Sequence, residues 1–402
     1  MLLVVVGVPA ALLRASCVGS SCNESADART KVPFCSLPIS LRRSIENGFR
    51  EGRSPDLFVV DRSSTVYDTA VRVPLVFSGA GVSSGGEIEG RMTLDRVAPT
   101  TADILGLRRP HPDVRSGIAL EEMASGSPPR LVLEVVWKGG ETDALRAAAG
   151  EWPNLQSLIE AGAGTLEASP GSLPLDATAV LTTIGTGGLP WQHGITGSVI
   201  RALNGRAVQA WGRRAPTSVI ATLADDLDEK MGQRAMIGLI GTARSDRGLI
   251  GGNWYIGGDR DDLFVSRASN AATTAGRVLR TGYGDDEVPD MLAVVVTGDP
   301  SEVDAQLAAL EAAAQRVTDG SALLVFTATG PLVPDSAARE LSSSVAEHDV
   351  IEAAVPGGLF LDQRRLADGD VTEDDIVDSI RDAGRGAVDV FSETAITFSK
   401  YC

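Results

Sequence analysis

The chain has 402 residues, of which 43% are hydrophobic and 22% charged, a length that suits one large α/β domain or two smaller ones. Its 53 acidic against 36 basic side chains give a formal charge of −17, which disfavours nucleic acids and anionic lipids as partners because both require a basic surface. Aromatic residues make up only 4%, so a platform for stacking bases is not expected either.

The N-terminus begins with an apolar run at positions 2–13, LLVVVGVPAALL, which is too short to span a bilayer as a helix. It has the length of the apolar region of a signal peptide, and Ala15-Ser16 supplies small residues for cleavage, although no basic residue precedes the run. Cys17 follows these residues as in a lipoprotein signal with Arg14 in place of Leu. We favour export, with or without a membrane anchor, over a cytosolic β-strand, and residues 1–34 are interpreted as this segment plus a polar linker.

Cysteine usage supports the same compartment. The four cysteines lie near the two ends of the chain, at Cys17, Cys22, Cys35 and Cys402. Cysteines placed in this way are typical of disulfides in an oxidising compartment rather than of a metal cluster; free buried thiols are the alternative, and the less expected one for a last residue. Abundant Ala, Gly, Val, Asp and Arg with few Lys suggests a GC-rich bacterial genome.

Strand and helix patterns alternate along the chain, which predicts a parallel sheet with helices on both faces. Residues 108–129, rich in Pro, Gly and Ser, are interpreted as a linker. The predicted strands are 56–60, 71–77, 131–136, 235–240, 291–296 and 322–327. The predicted helices are 95–107, 153–161, 177–185, 217–231, 301–317 and 372–382.

One stretch carries a recognisable pattern: residues 153–197 read PNLQSLIEAG and then SLPLDATAVLTTIGTGGLPWQHGITG. It resembles the nucleophile region of the alkaline phosphatase superfamily, in its nucleotide pyrophosphatase/phosphodiesterase branch. The strands RLVLEVVWKGG at 130–140, ALLVFTATG at 322–330 and GGLFLDQRRL at 357–366 resemble other strands of that family. The resemblance implies an alkaline-phosphatase-like α/β domain over residues 35–402.

The order of the segments differs from that of the family. Residues 44–123, with YDTAVRVPLVFSGAGV and RMTLDRVAPTTADILGL, resemble the family's C-terminal part, whereas 130–400 resembles its N-terminal part. We interpret this as circular permutation rather than a truncated tandem domain, because the two parts complement each other without overlap. Permutation implies that strands near 57–60 and 73–77 join the sheet of strand 131–136. It also brings the ends together, so that Cys35 and Cys402 are disulfide candidates.

The family works through two zinc ions, which need about six Asp and His ligands in all. The matching positions here carry other residue types: Trp137, Lys138, Ala328, Thr329 and Arg72. The nucleophile position falls on Ala177; Thr178 could serve if the register is shifted by one, and is otherwise a helix-start hydroxyl. The three histidines, His111, His193 and His348, lie in loops or turns away from these positions. The resemblance therefore implies an inactive site without zinc.

Three functions remain open at this stage. The first is an exported, catalytically inactive member of the superfamily with a binding or accessory role, including an envelope protein as partner. The second is a metal-dependent phosphodiesterase or phosphatase with a divergent site, and the third is an interaction protein that reuses the scaffold. Lys138 and Arg72 either bind a small anion weakly or pair with carboxylates such as Asp176.

Overall fold

The computed structural model describes residues 34–83, 86–252, 254–255, 262–268, 270–345, 348–369, 371–383 and 388–402. The signal-like run at 2–13 and the cysteines Cys17 and Cys22 lie outside the described residues.

No helix among the described residues is long and apolar enough to cross a membrane.

The strands of the described chain are short and follow the predicted pattern along most of the sequence. They are β1 (Leu57–Asp61), β2 (Val73–Gly79), β3 (Gly86–Glu87), β4 (Leu131–Trp137), β5 (Ala163–Ala168), β6 (Val199–Arg201), β7 (Ala207–Gln209), β8 (Ile237–Gly241), β9 (Leu263–Ser266), β10 (Asp290–Val296), β11 (Ala322–Ala328), β12 (Ile351–Val355), β13 (Gly358–Leu361) and β14 (Val388–Ser392).

Helices alternate with these strands. They are α1 (Ile39–Gly48), α2 (Val97–Ile104), α3 (Thr142–Ala147), α4 (Pro153–Ala161), α5 (Ala177–Thr186), α6 (Pro190–His193), α7 (Leu223–Lys230), α8 (Ala271–Leu279), α9 (Pro300–Val317), α10 (Asp335–Ser344), α11 (Gln363–Ala367), α12 (Glu373–Ala383) and α13 (Glu393–Thr397).

The main sheet has the strand order β3-β5-β2-β11-β4-β10-β8-β9 within the described chain. All its pairs are parallel except those of β2, which runs antiparallel to both neighbours. Every residue of β4, β10 and β11 is buried. Because successive side chains of a strand point to opposite faces, full burial requires that both faces of the sheet be covered. The predicted α/β fold with a parallel-rich central sheet is therefore confirmed.

A second, antiparallel sheet has the order β12-β13-β1-β14. The expectation that the strand near 57–60 joins the main sheet is wrong, because β1 pairs along its whole length with β14, from Leu57 opposite Ser392 to Asp61 opposite Val388. The strand near 73–77 does lie in the main sheet, as β2 between β5 and β11. The described part of segment 44–123 thus forms no separate sheet: its two longer strands complete two sheets built from the later chain. The permuted order itself stays a prediction.

The two ends of the described chain are covalently joined. Cys35 and Cys402 form a disulfide with 5.3 Å between their Cα atoms, across 367 positions of sequence. Phe34, next to Cys35, packs edge-to-face on Phe391 of β14 with 5.2 Å between ring centroids. These contacts place residue 35 and residue 402 beside the second sheet.

Candidate functional site

The carboxyl ends of β4 and β11 meet at one edge of the main sheet. The two strands are parallel with Ala328 opposite Trp137, so the residues that follow them also lie side by side. The Thr329 amide donates to the Trp137 carbonyl at 3.1 Å, and the Gly139 amide donates to the Thr329 hydroxyl at 2.9 Å. The structure therefore brings together four of the predicted ligand positions, at residues 137, 138, 328 and 329.

Arg72 reaches the same edge through its backbone. Its carbonyl accepts a 2.8 Å hydrogen bond from the Thr142 amide, in the segment that follows β4. Its guanidinium turns back on its own loop, where Nη1 donates to the carbonyls of Thr69 at 3.0 Å and Val71 at 2.8 Å. Nε lies 3.9 Å from the half-exposed Glu167 carboxylate. An anion at Arg72 would have to compete with these contacts.

Lys138 makes the strongest electrostatic contact of this edge. Its Nζ lies 2.6 Å from Oδ1 of Asp246, whose side chain is 0% exposed while that of Lys138 is 15% exposed. The other oxygen of Asp246 accepts from the amides of Thr242 at 2.7 Å and Ala243 at 2.9 Å. Lys138 therefore pairs with a carboxylate, but with Asp246 rather than Asp176.

Asp176 has a different role, at the start of α5. Its Oδ1 accepts from the Thr178 amide at 2.8 Å and from the Ala179 amide at 3.3 Å, which caps the helix. Its Oδ2 accepts from the Ser198 amide at 2.8 Å. Ala177 is the first residue of α5 and offers only a methyl group, whereas the Thr178 side chain is buried. The predicted nucleophile position is thus a well-capped helix start.

Trp137 fills space at the end of β4. The residue is 3% exposed, and its indole nitrogen donates to the Gly298 carbonyl at 3.1 Å. A Cβ at Gly140 would lie 1.9 Å from the indole ring, so only glycine fits there. The large ring packs where the resemblance places a metal-binding carboxylate.

The histidines do not converge on this edge. Both ring nitrogens of the buried His193 are engaged, with the Ile195 amide at 3.1 Å and the Thr183 hydroxyl at 3.1 Å. Burial, with a smaller contribution from the Arg50 charge, lowers the pKa of His193 to about 3. The His348 ring contacts the Ser379 hydroxyl at 2.7 Å.

A zinc pair does not fit the groups at this edge. The side chains at the predicted ligand positions are an indole, an ammonium, a methyl group, a hydroxyl and a guanidinium, none of which is a usual zinc ligand. Asp299 caps α9 by accepting from the Glu302 amide at 2.9 Å. Among the described residues, no group of three or more His, Cys, Asp or Glu side chains has a metal-binding arrangement.

A second buried cluster involves residues of the 108–129 segment, which the sequence pattern predicted to be a linker. Arg109 and Arg115 share the buried Asp226 carboxylate, at 2.7 and 3.2 Å from Oδ2, and the Tyr255 hydroxyl donates to Oδ1 at 2.8 Å. Burial lowers the pKa of both arginines, that of Arg115 to about 10, with the neighbouring Arg109 charge as the second cause. Arg109 and Arg115, two of the three arginines in the RRPHPDVR string, were the signal that could have revealed it.

A cavity of about 390 Å³ lies beside this cluster. Its walls come from α2 and the loop after it, and include Pro99, Leu107, Arg108, Arg109, Pro110 and Arg115. A volume of this size falls in the range of small-molecule sites. The loop that carried no predicted function therefore lines an open cavity.

No protein-family model matches this sequence. No curated protein is similar to it at a significant level. Among solved structures, the crystal structure of wild-type alkaline phosphatase PafA is similar, with a TM-score of 0.43 and 13% sequence identity, covering 64% of this chain and 77% of that chain.

Proposed function

We propose that this chain is a catalytically inactive member of the alkaline phosphatase superfamily, in its nucleotide pyrophosphatase/phosphodiesterase-like branch. In this proposal its order is circularly permuted and it acts outside the cytoplasm as a binding or accessory protein, with an envelope protein as one candidate partner. The proposal rests on the sequence patterns of the two segments and on the groups at the β4–β11 edge.

The ion pair of Lys138 and Asp246 carries the proposal. An ammonium 2.6 Å from a fully buried carboxylate supplies a fixed positive charge where the family pattern calls for a metal ligand. A divalent cation brought to this position would be repelled by Lys138 at short range. The acceptors of Asp246 are also engaged by Thr242 and Ala243, so this carboxylate is already neutralised without a metal.

The nucleophile position supports the same conclusion. Covalent catalysis of ester hydrolysis requires a hydroxyl or thiol activated by a base or a metal. Ala177 has neither group, and the neighbouring Thr178 has a buried side chain on the first turn of α5. The start of α5 keeps its cap at Asp176, so the helix is formed there. The first residue of the helix, Ala177, carries no reactive side chain.

The test combines metal content with hydrolysis. The purified protein is analysed for bound zinc after mild purification and assayed with an aryl phosphodiester, with and without added zinc. The matched variant is Thr178→Ala, which removes the one hydroxyl beside the nucleophile position. We expect no stoichiometric zinc and no turnover in either protein.

Two tightly held zinc ions per chain, together with turnover that Thr178→Ala abolishes, would instead establish the divergent hydrolase. Turnover that is equal in both proteins and copurifies with the chain at constant specific activity would place catalysis elsewhere and also overturn the proposal.

Export is supported by the signal-like N-terminus and by the Cys35–Cys402 disulfide, since such bonds persist in oxidising compartments. Fractionation of cells that express the full chain tests it, with thiol labelling of Cys402 in the same fractions. A protein retained in the cytosol with a free Cys402 would contradict this part of the proposal.

A further inference from the structure

The loop between α2 and β4 contains features that the proposed function does not use. Its described residues line the open cavity of about 390 Å³, whose lining includes none of the residues of the Lys138 edge. Three of the residues that line it are arginines, Arg108, Arg109 and Arg115, against one acidic residue, Asp103. Two of the three, Arg109 and Arg115, are paired with Asp226, which leaves Arg108 as the arginine whose charge is available to a ligand.

The cavity walls are held rigidly by the buried cluster. Nη1 of Arg115 donates to the carbonyls of Pro110 at 2.9 Å and His111 at 3.1 Å, while its Nη2 lies 3.2 Å from Asp226. Arg109 is fixed from the other side by the Thr186 carbonyl at 2.9 Å and the Asp226 carboxylate at 2.7 Å. The buried arginines therefore build the wall, and most of their N–H groups are already used.

The backbone of the loop is restricted as well. Pro99, Pro110 and Pro112 line the cavity, and each has a fixed φ angle. His111 adopts the left-handed region at φ 48°, a conformation that non-glycine residues seldom hold without support from their surroundings. A cavity held in this way is pre-organised, which reduces the entropy lost when a ligand binds.

Arg108 differs from its two neighbours. It is exposed at the cavity wall, and it forms no hydrogen bond or ion pair with any other part of the chain that the structure describes. Its guanidinium is thus available to pair with an anionic group at the mouth of the cavity. Leu107, Ala102 and the prolines supply the apolar part of the lining, which also includes Asp103 and His111.

We propose that this cavity binds a small organic anion, a carboxylate with a compact apolar body. The apolar body would pack against Leu107, Ala102 and Pro99, and the carboxylate would pair with the exposed Arg108. An inorganic anion lacks the apolar part and has to overcome the net negative charge of the chain with a single arginine, so it binds more weakly. This inference does not depend on whether the Lys138 edge is inactive.

The experiment is calorimetric titration of the full chain with naphthoate, with the neutral naphthamide and inorganic phosphate as comparison probes. We expect saturable binding of naphthoate at one site, and at least roughly tenfold weaker binding of naphthamide and phosphate, as loss of one charge-assisted hydrogen bond implies. Equal affinity for naphthoate and naphthamide, or no binding of naphthoate, overturns the proposal.

Two variants locate the site. Arg108→Gln should weaken naphthoate binding by roughly tenfold, whereas Arg316→Gln, an equal change of charge at an exposed position on α9, should leave it unchanged. Ala119→Met places a larger side chain at the cavity wall and should reduce naphthoate binding without removing Arg108. Melting temperatures of all three variants establish that they are folded. Naphthoate binding unaffected by both Arg108→Gln and Ala119→Met would place the ligand elsewhere and refute the assignment.

Discussion

Glu134 is a buried acid in the centre of the main sheet. It lies in β4 opposite Ala293 of β10 and Val325 of β11, and it is 3% exposed. One oxygen of its carboxyl group has no hydrogen-bond partner within the described residues. Burial raises its pKa to about 8, because the charged form is poorly solvated there.

Replacing this acid by its neutral isostere, Glu134→Gln, should change how stability depends on pH. Because the pKa is about 8 in the folded chain against an ordinary value of 4.5, the folded state binds the proton more tightly. The contribution of protonated Glu134 to the free energy of unfolding is therefore fully present below pH 4.5, and it is lost as the pH rises towards 8. At about 1.4 kcal/mol per pH unit, the loss is roughly 3 kcal/mol at neutral pH and about 5 kcal/mol above pH 8.

His193 titrates in the opposite sense and must be separated from Glu134. Its folded pKa of about 3 lies below the ordinary value of 6.5, so its contribution is present above pH 6.5 and is lost as the pH falls towards 3. His193 is present in both proteins, so its contribution cancels when their unfolding free energies are compared. The difference in unfolding free energy between Glu134→Gln and the unmodified chain therefore isolates the effect of Glu134.

The assay is urea unfolding of both proteins at about pH 5, 6.5, 8 and 9. We expect the variant to gain stability relative to the unmodified chain by about 1.4 kcal/mol per pH unit up to about pH 8, and no further above it. Glu121→Gln, at an exposed position, is the control and should show no such trend. A difference for Glu134→Gln that stays constant from about pH 5 to pH 9 would refute the burial of an unpaired carboxyl group.

Three further predictions concern the site and the chain ends. Lys138→Met should lower the free energy of unfolding by about 3–5 kcal/mol because it leaves Asp246 buried and unpaired, and adding Asp246→Asn should recover part of that loss in chemical denaturation; additive losses would contradict the ion pair. Replacing both Cys35 and Cys402 by serine should lower the melting temperature, with a loss of roughly 4 kcal/mol from the long closed loop, and an unchanged melting temperature would show that the bond contributes nothing. A chain opened in the exposed loop 124–128, with residues 35 and 402 joined by a short linker, should fold with the same circular dichroism spectrum, whereas failure to fold would argue against the permuted order.

Local signals predicted the elements of the main sheet well. The strand predicted at 131–136 is β4, and the helix predicted at 301–317 is α9, which begins one residue earlier because Pro300 follows the Asp299 cap. The helix predicted at 217–231 is shorter, since Thr222 accepts from the Asp225 amide and starts α7 at Leu223. Periodicity and caps are properties of neighbouring residues, so they can be read from the sequence.

Partners that are distant in sequence could not be predicted in the same way. The position of β1 in the second sheet depends on β14, whose five residues lie more than 300 positions away and carry no distinctive pattern. Likewise, the partner of Lys138 is Asp246, 108 positions away in a string that the sequence analysis gave no role. The candidate ligand positions at the β4–β11 edge could be predicted because they follow a family pattern, and local chemistry alone would not have indicated them.

The disulfide between Cys35 and Cys402 turns residues 35–402 into a closed covalent loop. A single proteolytic cut anywhere in that loop opens it without releasing a fragment, because both sides of the cut remain connected through the sulfur atoms. Digests at low protease concentration should therefore give one species of nearly unchanged mass without reductant, and two fragments after reduction. In an environment that contains proteases, the two parts of a nicked molecule stay tethered at a high effective concentration. They can therefore refold together although the cut peptide bond is not restored.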